Sequence, residues 1–258
     1  YFRIVSDNKR IVTTVVLDSI YTLPHVMSYY SPLRTSADNR ELGLLMQDVW
    51  KTVDSVSPEI DFNQFNTFMI FHAGVGRDVD LASLYGYDPT PFDIPSLYLN
   101  LPGLRKMFGD SYNGVSVDSG NFHIRSSLII PETETRELPT ISGTTSIPLG
   151  INGLVVASIG SHLGLPDLFD TKTGNSGIGR FGLMDGQSIF SWNGIFPPEP
   201  SAWEKYFLGW IDPVTVSAGN ASYSLPAVSL TSSTDTIYKV PISAQEYFLI
   251  DRKSTRLN

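Results

Sequence analysis

Residues Val155–Asp170 read VVASIGSHLGLPDLFD, and the stretch divides into two halves of different character. The first is apolar and small, with Ala157, Ser158, Gly160 and Ser161 following two valines. The second is a stop signal: Gly164 suits the left-handed residue that closes a helix, and Pro166 blocks continuation. Upstream, Pro148 stands near the start, where a missing N–H costs little. The pattern predicts a helix over Gly150–Leu163. Its small residues allow close approach of backbone to a sheet.

The same helix has the frame of a zinc-peptidase active-site helix without the metal-binding residues. In such helices H-E-x-x-H sets two imidazoles one turn apart, with the glutamate as general base. Counting back from Gly164-Leu165-Pro166-Asp167, those places hold Ala157, Ser158 and Ser161. Alanine has no donor atom, and a serine hydroxyl is a poor zinc ligand and a weak base. Other stretches accompany the helix in order: Pro58–Phe62, Phe71–Gly74, Gly164–Asp170, Phe181–Met184, Ala202–Trp210 and Tyr247–Ile250.

In the order and spacing of these stretches, from about Tyr1 to Arg252, the chain resembles the M6 metallopeptidases, the immune inhibitor A family. The resemblance implies a metzincin-like α/β fold: a mixed sheet with an active-site-type helix, followed by an antiparallel β region. It also implies a secreted or cell-surface bacterial protein with neighbouring domains in a longer chain. Met184 matches the methionine that floors the metal site in such folds. Two departures stand out: the degenerate zinc motif, and Gly182 where the family usually carries aspartate. Together they imply a catalytically inactive domain without zinc, whose cleft (Ser158, His162, Asp167, Met184, Glu199) holds a peptide or protein ligand or serves as a scaffold.

Bulk properties narrow the partners. A net charge of −8 argues against nucleic acid or an anionic membrane surface. Apolar runs such as Gly153–Ile159 fall far short of the roughly 20 residues of a membrane span. With zero cysteines there are no disulfides and no thiolate metal sites. No signal peptide is visible, since the chain from Tyr1 reads as a strand, and both ends look cut. The polar tail Lys253–Asn258 has the texture of foreign sequence. Residues 1–212 form the expected peptidase-like domain, and 213–258 the start of the β region.

Within that frame, Ile11–Leu17 is β-branched and predicts a strand. Asp38 with Glu41 has the capping-box spacing, opening a helix through about Val53 whose Leu42, Leu45, Met46, Val49 and Trp50 form one apolar stripe. Thr67–Phe71 predicts a buried strand meeting a glycine turn at Ala73-Gly74. Asp88–Pro102, with four prolines, reads as an irregular loop. Ser127–Ile130 predicts a strand closed by Pro131. Past Pro213, Tyr238–Ile242 and Tyr247–Asp251 predict antiparallel strands, and Thr231–Thr234 is of low complexity.

Several residues invite chemical readings beside structural ones. Ser158 and His162 are one turn apart, so a hydrolase could be rebuilt from them with Asp167 or Asp170 as orienting acid. A capping histidine at the helix end is the structural reading, and an unrecognised metal site is a further alternative. Asp167, Asp170 and Asp185, with carbonyls of the 174–179 loop, offer the oxygens that calcium favours; turn capping is the competing role. Glu199 is the acidic residue nearest in sequence to a third metal ligand. Asp78 and Asp80 read as solvated charges. His25, His72 and His123 are scattered among aromatic or apolar neighbours.

Overall fold

A computed structural model describes residues 1–33, 35–36, 38–79, 81, 86–216, 219, 222–228 and 237–253. It is mixed α/β, with several helices and small sheets in parallel and antiparallel pairing. Packing separates a central unit, residues 17–162, from a flanking unit made of residues 1–16 and 163–258. Residues 213–253 therefore share a unit with residues 163–212. Asp80, Thr231–Thr234 and positions 254–258 of the expected tail lie outside the described residues.

The flanking unit begins with one helical turn, α1 (Phe2–Val5), where a strand was expected. Phe2 and Val5 lie three apart and are both buried, Phe2 edge-on to Trp210 at 6.2 Å. Burial of that pair on one face selects the turn over extended backbone. The strand expected at residues 11–17 is also absent. Its β-branched residues favour extension, but a strand needs a ladder, and Val16 instead stands 79% exposed.

In the central unit, α2 (Met27–Tyr30) precedes α3 (Arg40–Val56). The expected stripe of α3 is real: Leu42, Leu45, Met46 and Trp50 are buried and Val49 half-buried. The expected capping box is not formed. Asn39 takes the N-cap position with φ of 53°, and Asp38 Oδ1 instead accepts the Arg40 N–H at 3.2 Å. Asparagine tolerates that left-handed backbone, which moves the helix start one residue on. Gly43, in the first turn of α3, has a packing reason, since a Cβ there would meet the Phe108 ring at 2.8 Å.

The sheet that receives this core is β1 (Met69–Val75), β2 (Leu97–Leu99) and β5 (Ser127–Thr133), in the order β1-β5-β2, with β5 parallel to β1 and antiparallel to β2. Between β2 and β5 come α4 (Leu101–Phe108) and the hairpin β3 (Val115–Val117) with β4 (Phe122–Ile124). The glycine at 74 does not end β1. It lies at an irregularity in the ladder, at φ of 88°, and the strand continues to Val75. Asp88–Pro102 is likewise not wholly irregular. Leu97–Leu99 lies clear of the prolines and pairs with β5, and Pro102 falls in the first turn of α4, a place that suits it.

Pro131 does not close β5 either. Leu128 donates toward β1, to the Phe68 carbonyl at 2.8 Å, so by alternation the nitrogen of residue 131 points to the β2 side. There β2 has already ended at Leu97, opposite Ile129, and no ladder bond is lost. Trp50 donates to Ser127 Oγ at 3.2 Å, tying α3 to the start of β5. The hairpin of β6 (Arg136–Thr140) with the exposed β7 (Gly143–Ile147) follows, then α5 (Asn152–His162). Pro148 lies four residues before α5 rather than in its first turn.

The rest of the flanking unit holds the short helices α6 (Gly186–Ile189) and α7 (Ala202–Phe207) and a three-stranded sheet. Its strands are β8 (Val214–Thr215), β9 (Ile237–Pro241) and β10 (Tyr247–Asp251). The pairing of β9 with β10 is antiparallel as expected, but β8 joins β9 in parallel, so this sheet is mixed. Among the described residues no helix is long and apolar enough to cross a membrane.

Candidate functional site

Helix α5 carries Ala157, Ser158 and Ser161, the positions compared above with the zinc motif. Gly153, Ala157 and Gly160 recur on one side and are buried, and the helix packs against β5 and β2. Ala157, 4% exposed, is part of that packed surface. Ser158 and Ser161 are half-buried. The Ser161 hydroxyl donates to the Ala157 carbonyl at 3.4 Å, a bond back to its own helix. His162, at the last position, sets Nε2 2.8 Å from Thr67 Oγ1 and meets the edge of Tyr98 at 5.7 Å. Its ring is thereby tied to the residues flanking β1 and to β2.

Asp167, Met184 and Glu199 belong to the flanking unit, while Ser158 and His162 belong to the central one. In the flanking unit, three of the stretches singled out in the sequence are joined by hydrogen bonds. Gly164 turns at φ of 99°. Beyond it, Leu168 donates its N–H to the Met184 carbonyl at 2.8 Å. Leu183 and Met184 donate theirs to the Glu204 carboxylate at 3.0 and 2.9 Å. Glu204 has no exposure, and it also accepts the Ser201 N–H while Ser201 Oγ caps the Glu204 N–H at 3.2 Å. This reciprocal capping box opens α7. The spacing Ser201-x-x-Glu204 was a sequence signal for it.

Gly182 lies inside this network. A Cβ at that position would fall 2.2 Å from Ile178 Cδ1 and 3.1 Å from Glu204 Oε2. An aspartate there would crowd the isoleucine and face a buried carboxylate. Met184, 2% exposed, packs as apolar core. Glu199 is in ion pair with Lys205, and Lys253 donates to the Glu199 and Pro200 carbonyls, the latter at 2.9 Å.

The three aspartates stand in three different settings. Asp185, without exposure, gathers the 174–179 loop: its Oδ2 accepts from Ser176 Oγ and from the N–H groups of Gly177, Ile178 and Gly179, while Oδ1 caps α6 through Gln187. Burial alone would push this carboxyl up, but the Ile178, Gln187 and Gly177 donors outweigh it and hold it below the usual range. Asp170 is lowered by the N–H groups of Lys172 and Thr173, which it accepts in a tight turn. Asp167 is exposed. Among the described residues no three His, Cys, Asp or Glu side chains form a group able to hold a metal ion.

Asp78 is not the solvated charge its sequence context suggests. Both its oxygens accept the Ser96 N–H, at 3.0 and 3.1 Å, and it is half-buried. The histidines stay apart in role: His25 stacks on Tyr29 at 4.0 Å, His72 is buried with Nδ1 3.0 Å from the Ala73 carbonyl, and His123 lies in β4. In comparisons with known proteins, no family model and no curated protein matches this chain.

Proposed function

We propose that this chain is an M6-peptidase-like domain of metzincin-like fold that has lost its zinc chemistry, and that it binds a peptide or protein within a longer exported bacterial protein. One observation carries the reading. At the positions where two imidazoles would stand, Ala157 offers a methyl group in a packed surface, and the Ser161 hydroxyl is engaged by its own helix. Such a pair supplies no soft nitrogen donors, so neither the Lewis acid nor the metal-bound hydroxide of this mechanism has a seat. The bonds linking Leu168, Met184 and Glu204 support the reading in a second way: they give the accompanying stretches a structural role independent of any metal.

Binding by strand addition fits β1, which is an edge strand within its unit and carries the exposed Phe71. The rival hydrolase built on Ser158 and His162 is disfavoured, because His162 Nε2 is engaged by Thr67. The test is a casein and peptide cleavage assay in zinc, with and without chelator, beside a fluorophosphonate probe. No chelator-sensitive cleavage and no labelling are expected. Zinc-dependent cleavage would overturn the proposal, and labelling lost in Ser158→Ala would establish the hydrolase instead.

A further inference from the structure

Residues Ile11–Leu17, IVTTVVL, have the composition of a strand and no partner strand. Among the described residues, none of their backbone N–H or carbonyl groups takes part in a hydrogen bond. Ile11, Val12, Val15 and Val16 all stand exposed. Both ends of the run are nevertheless held. Ser6 Oγ accepts the Arg10 N–H at 2.8 Å, and Leu17 packs against the core of the central unit. A row of unpaired donors and acceptors carrying β-branched side chains is a template for another strand.

The order of the residues says which strand fits. Laid antiparallel to a second copy about Thr14, the run sets Ile11 against Leu17, Val12 against Val16, Thr13 against Val15 and Thr14 against its own copy. Just outside, Arg10 of each copy meets Asp18 of the other. Both charges are exposed, and neither side chain has a partner among the described residues. Lys9, by contrast, already donates to the Gly209 carbonyl at 3.4 Å. Opposite charges facing across a strand pair stabilise it, and like charges oppose it. A slip of one residue separates Arg10 from Asp18, and parallel pairing in register sets each charge against its own kind. The antiparallel register about Thr14 matches both the charges and the aliphatic side chains.

We propose that residues 11–17 are a dimerisation strand, pairing antiparallel about Thr14 with the same residues of a second copy of this chain. Each copy presents the same segment, so the contact is two-fold. Two short strands make a small interface, so the dimer is reversible and depends on concentration. No residue of β1 takes part, which keeps this contact separate from peptide binding at that edge.

The experiment is sedimentation of the full chain from about 10 μM to about 1 mM, with cross-linking beside it. A monomer–dimer equilibrium is expected. Arg10→Glu creates two like-charged pairs in the contact and is expected to weaken it about tenfold; adding Asp18→Arg restores opposite charges and brings it back to within about threefold of wild type. Because the chain has no cysteine, Thr14→Cys supplies one thiol per copy at the two-fold axis. Facing Cα atoms there lie about 4.5–5.5 Å apart, within disulfide reach. Thr14→Cys is therefore expected to cross-link readily under mild oxidation. Val12→Cys and Val16→Cys should each link poorly alone and link to one another when mixed. A chain that stays monomeric throughout, a dimer indifferent to the charge exchange, or a Thr14→Cys variant that links no faster than Val12→Cys would each overturn the proposal.

Discussion

Glu204 accepts N–H groups from Leu183, Met184 and Ser201 at a site without solvent contact, from the third position of its own helix. Truncating it leaves several buried donors unsatisfied at once. Glu204→Ala is expected to cost about 3–5 kcal/mol, read as a fall in the urea midpoint with an unchanged slope. Asp185 plays a comparable part in its loop, and its depressed carboxyl makes its contribution depend on acid. The stabilisation is present above the ordinary aspartate range near pH 4 and is lost as pH falls through the lower folded value. Asp185→Asn should thus unfold with a shallower acid limb than wild type, measured by circular dichroism from neutral pH downward. The spacing Ser201-x-x-Glu204 is the signal that could have found Glu204, because a capping box is local. Glu134 carries no such signal: its context Glu132-Thr133-Glu134-Thr135-Arg136 alternates like a solvated strand, yet it is fully buried and packs on Gly76.

Among the elements, α3 shows what periodicity can reach. Its stripe from Leu42 to Trp50 lies on one face because the spacing alone determines which side chains share it. Strand β10 was legible as a short apolar run, Tyr247–Ile250, ended by the charge of Asp251. Boundaries that depend on a neighbour were not: whether Pro131 ends β5 depends on where β2 stops, and whether residues 11–17 form a strand depends on a partner edge. For α5, the small residues announced close packing, and the buried Gly153, Ala157 and Gly160 agree. Ala157→Leu is therefore expected to lose about 1–3 kcal/mol by overpacking, while Ser161→Ala, which removes only a bond back to the helix, stays within about 0.5 kcal/mol. Thermal melts of the two variants would separate these effects. Equal losses would show that residue 157 does not sit in a packed surface.

At the scale of the molecule, the central unit is continuous in sequence, whereas the flanking unit is assembled from two separated stretches. The central unit also owns a core running from Tyr30 through α3 and the aromatic group Trp50, Phe62 and Phe68 to Ile129. Residues 17–162 expressed alone are expected to unfold cooperatively in urea, with an emission change from Trp50. A fragment that unfolds without a sigmoidal transition would show that this core does not suffice. The two three-stranded sheets are small and mixed and the other two are antiparallel hairpins, so no single sheet organises the described chain.

The run at residues 11–17, exposed from Ile11 to Val16, has a bearing on how the protein behaves at high concentration. IVTTVVL is rich in branched aliphatics and free of charge and proline, and its side chains face water at Ile11, Val12, Val15 and Val16. Segments of that make-up are the seeds from which cross-β stacks grow. Lys9 and Arg10 on one side and Asp18 on the other act as gatekeepers, and neutralising them would remove the electrostatic opposition to fibril growth.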